Sequence, residues 1–563
     1  MQIIKTQKVN CRDCHRCVRS CPVKAIGING GQARVIDERC ILCGRCVVEC
    51  PQKAKTVLDE REKIHQAMAA GKKVVISLAP SFAANFDFVD FTDFKKELLQ
   101  LGFSDVFETA VGADIVAQSY RNMVEKRTRP VISACCPIVV KLICNYYPEL
   151  VSSLAPVVSP MIAHAKLLRE QQGEDIFIVF AGPCIGKIDE AQSISGTVDA
   201  VITFERLKEW MLQITPNLIK QSILLEHDKS SARTFPLPGG ILQTMGYRDD
   251  SQFIAVDGIE NVMAVLSSMS NGEIEPAFIE MLACSGGCVG GPVNSNKQCW
   301  PIKKGKVNEF IAAREQTGYS NSQMNLSAEN FSRTHTAATL DSPMPKESEI
   351  RAILQRCGKN ALEDQKNCGA CGYNSCREKA IAVFQGLAET DMCVPYMRSK
   401  AESLANMVVE NSPNAIIVVD ESMLVQEANP TAYRMFTGNM FEKGDSLLRV
   451  FDCTDIVKAI QLEQRIIGKR VEYTEYGLVA EQTVVPLKEH GFVLVVFADV
   501  TEQEKRDREW ERMKFETMEK ATEIINRQMK VAQEIAGLLG ETTAETKAAL
   551  LELTWLLRGK EDI

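Results

Sequence analysis

Cysteine is the residue type through which this chain can do chemistry. Its 21 cysteines arrive in bursts separated by long cysteine-poor stretches. Cys11, Cys14, Cys17 and Cys21-Pro22 recur at a constant offset as Cys40, Cys43, Cys46 and Cys50-Pro51. Cys135-Cys136, Cys184, Cys284 and Cys288 come from distant segments, and Cys368, Cys371, Cys376 and Cys393 form a last group. Disulfide scaffolds belong to small secreted domains, and a reducing compartment does not keep such bridges. Clustered thiolates are soft ligands, suited to metal.

Each half of the repeat reads C-x2-C-x2-C-x3-C-P and so resembles the ligand run of a bacterial two-cluster ferredoxin. Three closely spaced thiolates wrap one cubane, and the fourth reaches across to the other. The resemblance implies one 4Fe-4S centre on Cys11, Cys14, Cys17 and Cys50, and a second on Cys40, Cys43, Cys46 and Cys21. Zinc knuckles lack the trailing x3-C-P. Two clusters side by side make an electron relay, not a catalyst.

The elements that must position these residues divide the chain into a multidomain α/β and α+β architecture. We expect a ferredoxin domain at 1–60, an α/β domain at 70–315, and a polar linker at 316–345. A small Cys-rich unit at 346–398, an α+β segment at 403–502 and helices over 503–563 follow. In the α/β stretch, apolar runs at 74–76, 131–132 and 176–180 alternate with helical segments. Phe91, Phe94, Leu98 and Leu101 give one helix its buried stripe, and Gly102 ends it. No apolar run reaches the roughly 18 residues that cross a bilayer, and no signal-like stretch precedes Cys11. Both point to a cytoplasmic protein with no membrane partner. The net charge of -8 argues against nucleic acid, which needs a concentrated basic face.

Cys136 and Cys184 follow expected strands, and Cys284 and Cys288 sit in a glycine-rich loop. Open α/β sheets collect ligands beyond the carboxyl ends of their strands, so these thiolates can converge on one cluster. Gly286, Gly287, Gly290 and Gly291 leave room for a bulky inorganic group. Three ordered stretches carry a more specific resemblance. Ser133-Ala134-Cys135-Cys136-Pro137, GPCIGKIDE at 182–190 and EMLACSGGC at 280–288 resemble the three signatures of FeFe hydrogenases. Ala79-Pro80-Ser81 and Gly112-Ala113-Asp114 match shorter patterns of that family in the same order.

The resemblance implies an H-cluster whose cubane is held by Cys136, Cys184, Cys284 and Cys288. Cys288 would also bridge to a two-iron subcluster bearing CO, cyanide and dithiolate ligands. Lys187 would donate to a cyanide, and Ala79, Pro80 and Ser81 would line the same pocket. Cys135 would be the proton-relay thiol, and Glu190 a member of the proton path or a structural ion pair. The implied reaction interconverts dihydrogen with two protons and two electrons, exchanged with a ferredoxin-like donor or acceptor.

Departures from the family matter as much. Its methionines near the two irons become Gly182 and Leu282, and its proton-path glutamates fall on Tyr120 and Met123. Neither phenol nor thioether titrates near working pH, so slow turnover is expected. Cys368, Cys371, Cys376 and Cys393 resemble a small 4Fe-4S domain of multi-cluster redox proteins, with zinc as the rival.

Residues 411–420 and 427–432 resemble the opening of a PAS domain, and 492–501 its exit strand. No histidine lies between Met435 and Tyr473, so haem is not expected; flavin stays open. His490 reads as a hairpin residue. In the next helix Met518, Ala521, Ile525, Ala532, Ile535 and Leu539 form a stripe that packs on the sheet or joins a homodimer. Thr542 and Glu545 cap a last helix. Cys144, Cys299, Cys357 and Cys453 read as buried thiols.

The leading function is a sensory FeFe hydrogenase that signals through its clusters and PAS module to a separate protein. The alternatives are a metabolic ferredoxin-linked hydrogenase with an accessory PAS domain, and a non-catalytic multi-cluster electron-transfer protein.

Overall fold

The computed structural model describes residues 2–88, 90–126, 129–213, 230–315, 328–338, 340, 342–436, 441–487, 491–539 and 543–557. They form two compact units, Met1–Met397 and Arg398–Ile563. No helix among the described residues is long and apolar enough to cross a membrane.

In the first unit the internal repeat shows as two short helices, Arg16–Ser20 and Arg45–Val48. Strand Ile4–Thr6 pairs antiparallel with Lys55–Val57, and Ile26–Asn29 with Gln32–Val35. Two parallel sheets follow. One has the order Asp105–Glu108, Val74–Leu78, Phe177–Gly182, Ala200–Thr203. The other has the order Phe253–Asp257, Phe278–Leu282, Val131–Ile132. Strands Val74–Leu78, Phe177–Gly182 and Phe278–Leu282 are buried along their whole length. Such near-continuous apolar runs suit parallel sheets covered on both faces.

Helix Phe91–Gln100 provides part of the cover. Asp90 accepts from Thr92 N at its start, satisfying one free donor. Phe91, Phe94, Leu98 and Leu101 are buried, and the rings of Phe91 and Phe94 pack on Phe82. Each such side chain stabilises by roughly 1.5–3 kcal/mol. For function, the strand ends matter most. Val74–Leu78 runs into Ala79-Pro80-Ser81, Val131–Ile132 into Cys135-Cys136, Phe177–Gly182 into Cys184, and Phe278–Leu282 into Cys284.

The stretch expected to be a linker is corrected in part. Residues 328–338 dock on the α/β domain: Phe331 is buried, and Val158 N donates to Phe331 O (2.9 Å). Arg333 N donates to Pro156 O (3.2 Å) and Ala338 N to Cys144 O (2.9 Å). One anchoring ring and a run of backbone hydrogen bonds hold this strap, and polar composition signals neither. The Cys-rich unit beyond it contains helices Glu347–Arg356 and Cys376–Phe384.

The second unit contains a five-stranded antiparallel sheet. Its order is Val425–Ala428, Ala415–Asp420, Phe492–Asp499, Leu478–Leu487, Ile466–Tyr473. Helix Pro430–Met435 is capped by the Asn429 side chain, which accepts from Ala432 N. Phe436, Phe451, Tyr473 and Phe497 pack against one another at its core. Helices Thr501–Leu539 and Thr543–Leu557 complete it. His490 and the capping pair of Thr542 with Glu545 fall outside what is described.

Candidate functional site

Four cysteines from three segments reach one cavity. Cys136 precedes helix Pro137–Tyr146, Cys184 follows strand Phe177–Gly182, and Cys284 and Cys288 bracket the turn after Phe278–Leu282. Ala79, Pro80, Ser81, Cys135 and Lys187 line the same space, and Met161, Phe180 and Phe235 close it. The cavity offers about 100 Å³ to the centres of water-sized molecules. One buried water needs about 10–15 Å³ by that measure, so something much larger fits.

Burial first, and then neighbouring thiolates, raise Cys184, Cys284 and Cys288. Cys184 is pushed up to about 12, and Cys284 and Cys288 stand well above the ordinary thiol range. Such groups ionise only beside positive charge, and a metal centre deprotonates its ligands outright. The donor set therefore fits an iron–sulfur group. Ser81 is fully buried and its Oγ has no hydrogen-bond partner. An unmet buried hydroxyl costs about 1–3 kcal/mol, which a polar ligand in the cavity would recover.

Lys187 Nζ donates to Glu190 Oε2 (2.7 Å) and to Cys135 O (3.2 Å). Burial alone would depress its pKa, but the Glu190 carboxylate outweighs that and raises it. Glu190 is itself buried and also accepts from Ser159 Oγ (2.9 Å) and Arg333 Nη1 (3.0 Å). Two cations thus share one carboxylate, which leaves the wall of the cavity suited to an anion. Sequence reasoning missed Ser159 and Arg333; Arg333 arrives on the strap, 143 residues from Glu190.

Glu280, which opens the third signature, has a positioning role. Its carboxylate accepts from Gly239 N (2.8 Å), Ile241 N (3.0 Å) and Leu242 N (3.1 Å) at helix Gly240–Met245. That fixes the preceding turn, whose Pro236 O accepts from Cys288 N (2.8 Å). Tyr120 is fully buried, and its hydroxyl accepts from Ala134 N (2.9 Å), next to Cys135. Burial raises its phenol well above the usual range. Met123 is half-buried.

In the ferredoxin part, Cys11, Cys14, Cys17 and Cys50 line one small cavity, and Cys21, Cys40, Cys43 and Cys46 line another. In the last group Cys368 is exposed, Cys371 and Cys376 are half-buried, and Cys393 is buried. Among the described residues no three His, Cys, Asp or Glu side chains close on a single metal ion. Of the four remaining cysteines, Cys357 and Cys453 are buried as expected, whereas Cys144 and Cys299 are corrected, being half-buried and exposed. Cys299 stands just before helix Trp300–Glu315, at the surface, where apolar packing is not available.

Fold and site together define an iron–sulfur protein built around a cysteine-lined cavity in an α/β domain. Residues 72–292 match the family described as iron only hydrogenase large subunit, C-terminal domain. Residues 10–66 match the 4Fe-4S dicluster domain, and 364–395 match an Fe-S cluster family. Over residues 72–292 the chain is similar to FeFe hydrogenases.

It is 27% identical over 368 residues to iron hydrogenase 1 of Clostridium pasteurianum, covering 51% of this chain and 64% of that one. Against the curated relatives it matches, the chain spans between 60% and 64% of their length. A solved FeFe hydrogenase from Chlamydomonas reinhardtii superposes at TM-score 0.39 and 18% identity, covering 50% of this chain and all of that one. The PAS domain of nitrogen regulation protein NR(II) from Vibrio parahaemolyticus gives TM-score 0.15 and 21% identity, covering 17% of this chain and 97% of that one.

Proposed function

We propose that the chain is a sensory FeFe hydrogenase. It interconverts dihydrogen with two protons and two electrons slowly, and passes the redox state through 4Fe-4S clusters to a PAS-type module. The observation that carries this reading is the cavity where Cys136, Cys184, Cys284 and Cys288 meet Cys135, Lys187 and the unpaired Ser81 hydroxyl. The four thiols would hold the cubane of an H-cluster, with Cys288 also reaching its two-iron part. When bound, that group supplies hydrogen binding and cleavage.

The chain's own residues do the rest. Met161, Phe180 and Phe235 exclude water, and Lys187 with Ser81 presents donors to anionic diatomic ligands. Cys135 takes or gives a proton at Sγ. Behind it stands Tyr120, whose buried phenol does not titrate near neutral pH. A relay through such a group is slow, which suits detection over flux.

Residues 403–502 support the sensor reading, with strand, turn, strand and Asn429-capped helix leading to a final strand and the helix Thr501–Leu539. A ferredoxin-like electron partner and a separate signalling protein complete the scheme. The test is infrared spectroscopy of matured, anaerobic protein under argon and then hydrogen. Carbonyl and cyanide bands that shift with hydrogen are expected. Demonstrably matured protein without such bands ends the hydrogenase reading.

A further inference from the structure

The ferredoxin part is approached closely on two sides. On one, Gly44 (φ 73°) sits where a Cβ would fall 2.6 Å from Pro292 Cγ and 2.8 Å from Ile185 Cδ1. The loop of Cys43 therefore rests directly on the loops of Cys184 and Cys288. On the other side, Gly372 (φ 96°) sits where a Cβ would fall 2.8 Å from Val18 Cγ1 and 3.1 Å from Arg19 N. The loop of Cys371 thus rests on helix Arg16–Ser20, between Cys17 and Cys21. Both backbones lie in the left-handed region that glycine tolerates. Arg19 Nη1 donates to Ala370 O (3.0 Å) and Ile28 N to Leu387 O (3.0 Å), which fixes the second contact.

A buried hydroxyl at this contact lacks a partner, and a buried cation of the same Cys-rich unit lacks a carboxylate. Tyr373 is 4% exposed, and its hydroxyl makes no hydrogen bond. It adjoins Gly372, which rests on the helix between Cys17 and Cys21, so it stands between two cysteine sets. Lys379 is 4% exposed; its Nζ donates to Thr390 O (2.7 Å) and lies 3.7 Å from Cys357 Sγ. No carboxylate pairs with it among the described residues. An unmet hydroxyl and an unpaired cation are costly to bury unless an anion is near, and a thiolate-ligated cluster is such an anion.

Resting on the hydrogenase reading above, we propose that Cys368, Cys371, Cys376 and Cys393 hold the electron sink of a branched relay. Tyr373 joins this 4Fe-4S cluster to the one on Cys21, Cys40, Cys43 and Cys46, and Lys379 raises its reduction potential. Nearby positive charge and hydrogen bonds to sulfur both favour the reduced cluster. Dihydrogen yields two protons, which leave to water, and two electrons. One electron reduces the sink by one charge; the other stays on a ferredoxin-part cluster or leaves to a ferredoxin-like acceptor.

The test is low-temperature EPR of full-length matured protein during a hydrogen titration, with infrared spectra from the same samples. Loss of one signal in Cys368→Ser identifies the sink, which is expected to take an electron before the ferredoxin pair. Lys379→Met should lower its reduced-to-oxidised ratio about tenfold at fixed potential, ~59 mV for one electron, and Lys379→Arg should restore it. Tyr373→Phe should slow its reduction by hydrogen several-fold. A sink signal unmoved by Lys379→Met overturns the proposal. So does a sink that stays oxidised under hydrogen while the infrared bands shift. If no such bands exist, the hydrogenase reading fails separately. A dithionite titration of the same samples then decides: a sink potential above the ferredoxin pair upholds the proposal, and one at or below it overturns it.

Discussion

Glu190 has two readings, proton carrier or structural counter-ion, and its partners distinguish them. Lys187 and Ser159 occupy Oε2 away from water, and half-buried Arg333 occupies Oε1. Removing one partner of such a buried pair typically costs about 3–5 kcal/mol, because it strands the other charge. Glu190→Gln should therefore lower the thermal midpoint of the unloaded protein substantially; an unchanged melt would leave the carboxylate free for proton traffic. Ser81→Ala should do the reverse. It deletes an unmet hydroxyl, so unloaded stability stays level or rises, while the cyanide bands of loaded protein move. Loss of stability with unmoved bands would show that the hydroxyl faces no ligand. The cysteines and Lys187 were legible because their type and spacing already carry chemistry. Arg333 was not, since a contact 143 residues away leaves no local pattern and its polar surroundings read as linker.

At the scale of elements, the strands were legible as short apolar runs and helix Phe91–Gln100 as a buried stripe. The split into two parallel sheets was not, because strand order is fixed by distant pairings such as Val74–Leu78 with Phe177–Gly182. Buried polar contacts between elements were equally silent. His164, on helix Pro160–Gln172, has Nδ1 2.8 Å from Ser77 Oγ, which lies 2.6 Å from Thr109 Oγ1. Burial lowers this histidine to about 3. An unfolded histidine gains its proton near pH 6.5, whereas the folded one resists until about 3, so the unfolded chain binds more protons in between. Stability is then lost as pH falls through that window, by at most ~1.4 kcal/mol per pH unit from this group. Urea midpoints at pH 7 and pH 5 should differ, and His164→Gln should reduce the difference. Equal pH slopes in the two proteins would assign the acid sensitivity elsewhere.

On the scale of the whole molecule, the proposed sensor role needs an output surface, for which helix Thr501–Leu539 of the second unit is the candidate. That helix has 39 residues, about 58 Å at 1.5 Å per residue. Of the stripe expected from the sequence, Met518, Ala521 and Ile525 are half-buried, Ala532 and Ile535 are exposed, and Leu539 lies outside the described side chains. A different seam stands open: Trp510, Thr517, Ile524 and Val531 recur every seven residues, and all are exposed. Sustained seven-residue spacing is the geometry that two helices use to supercoil. Exposure of 67% at Trp510 and 61% at Ile524 would be costly in a lone helix in water. A second copy of the chain would supply the same seam in register. Sedimentation equilibrium should therefore give a dimer at micromolar concentration. Ile524→Glu with Val531→Glu should give a monomer, because like charges then face each other across the seam, while the infrared bands stay where they were. A monomeric parent protein would sink the dimer, and a dimeric double variant would move the interface off this seam.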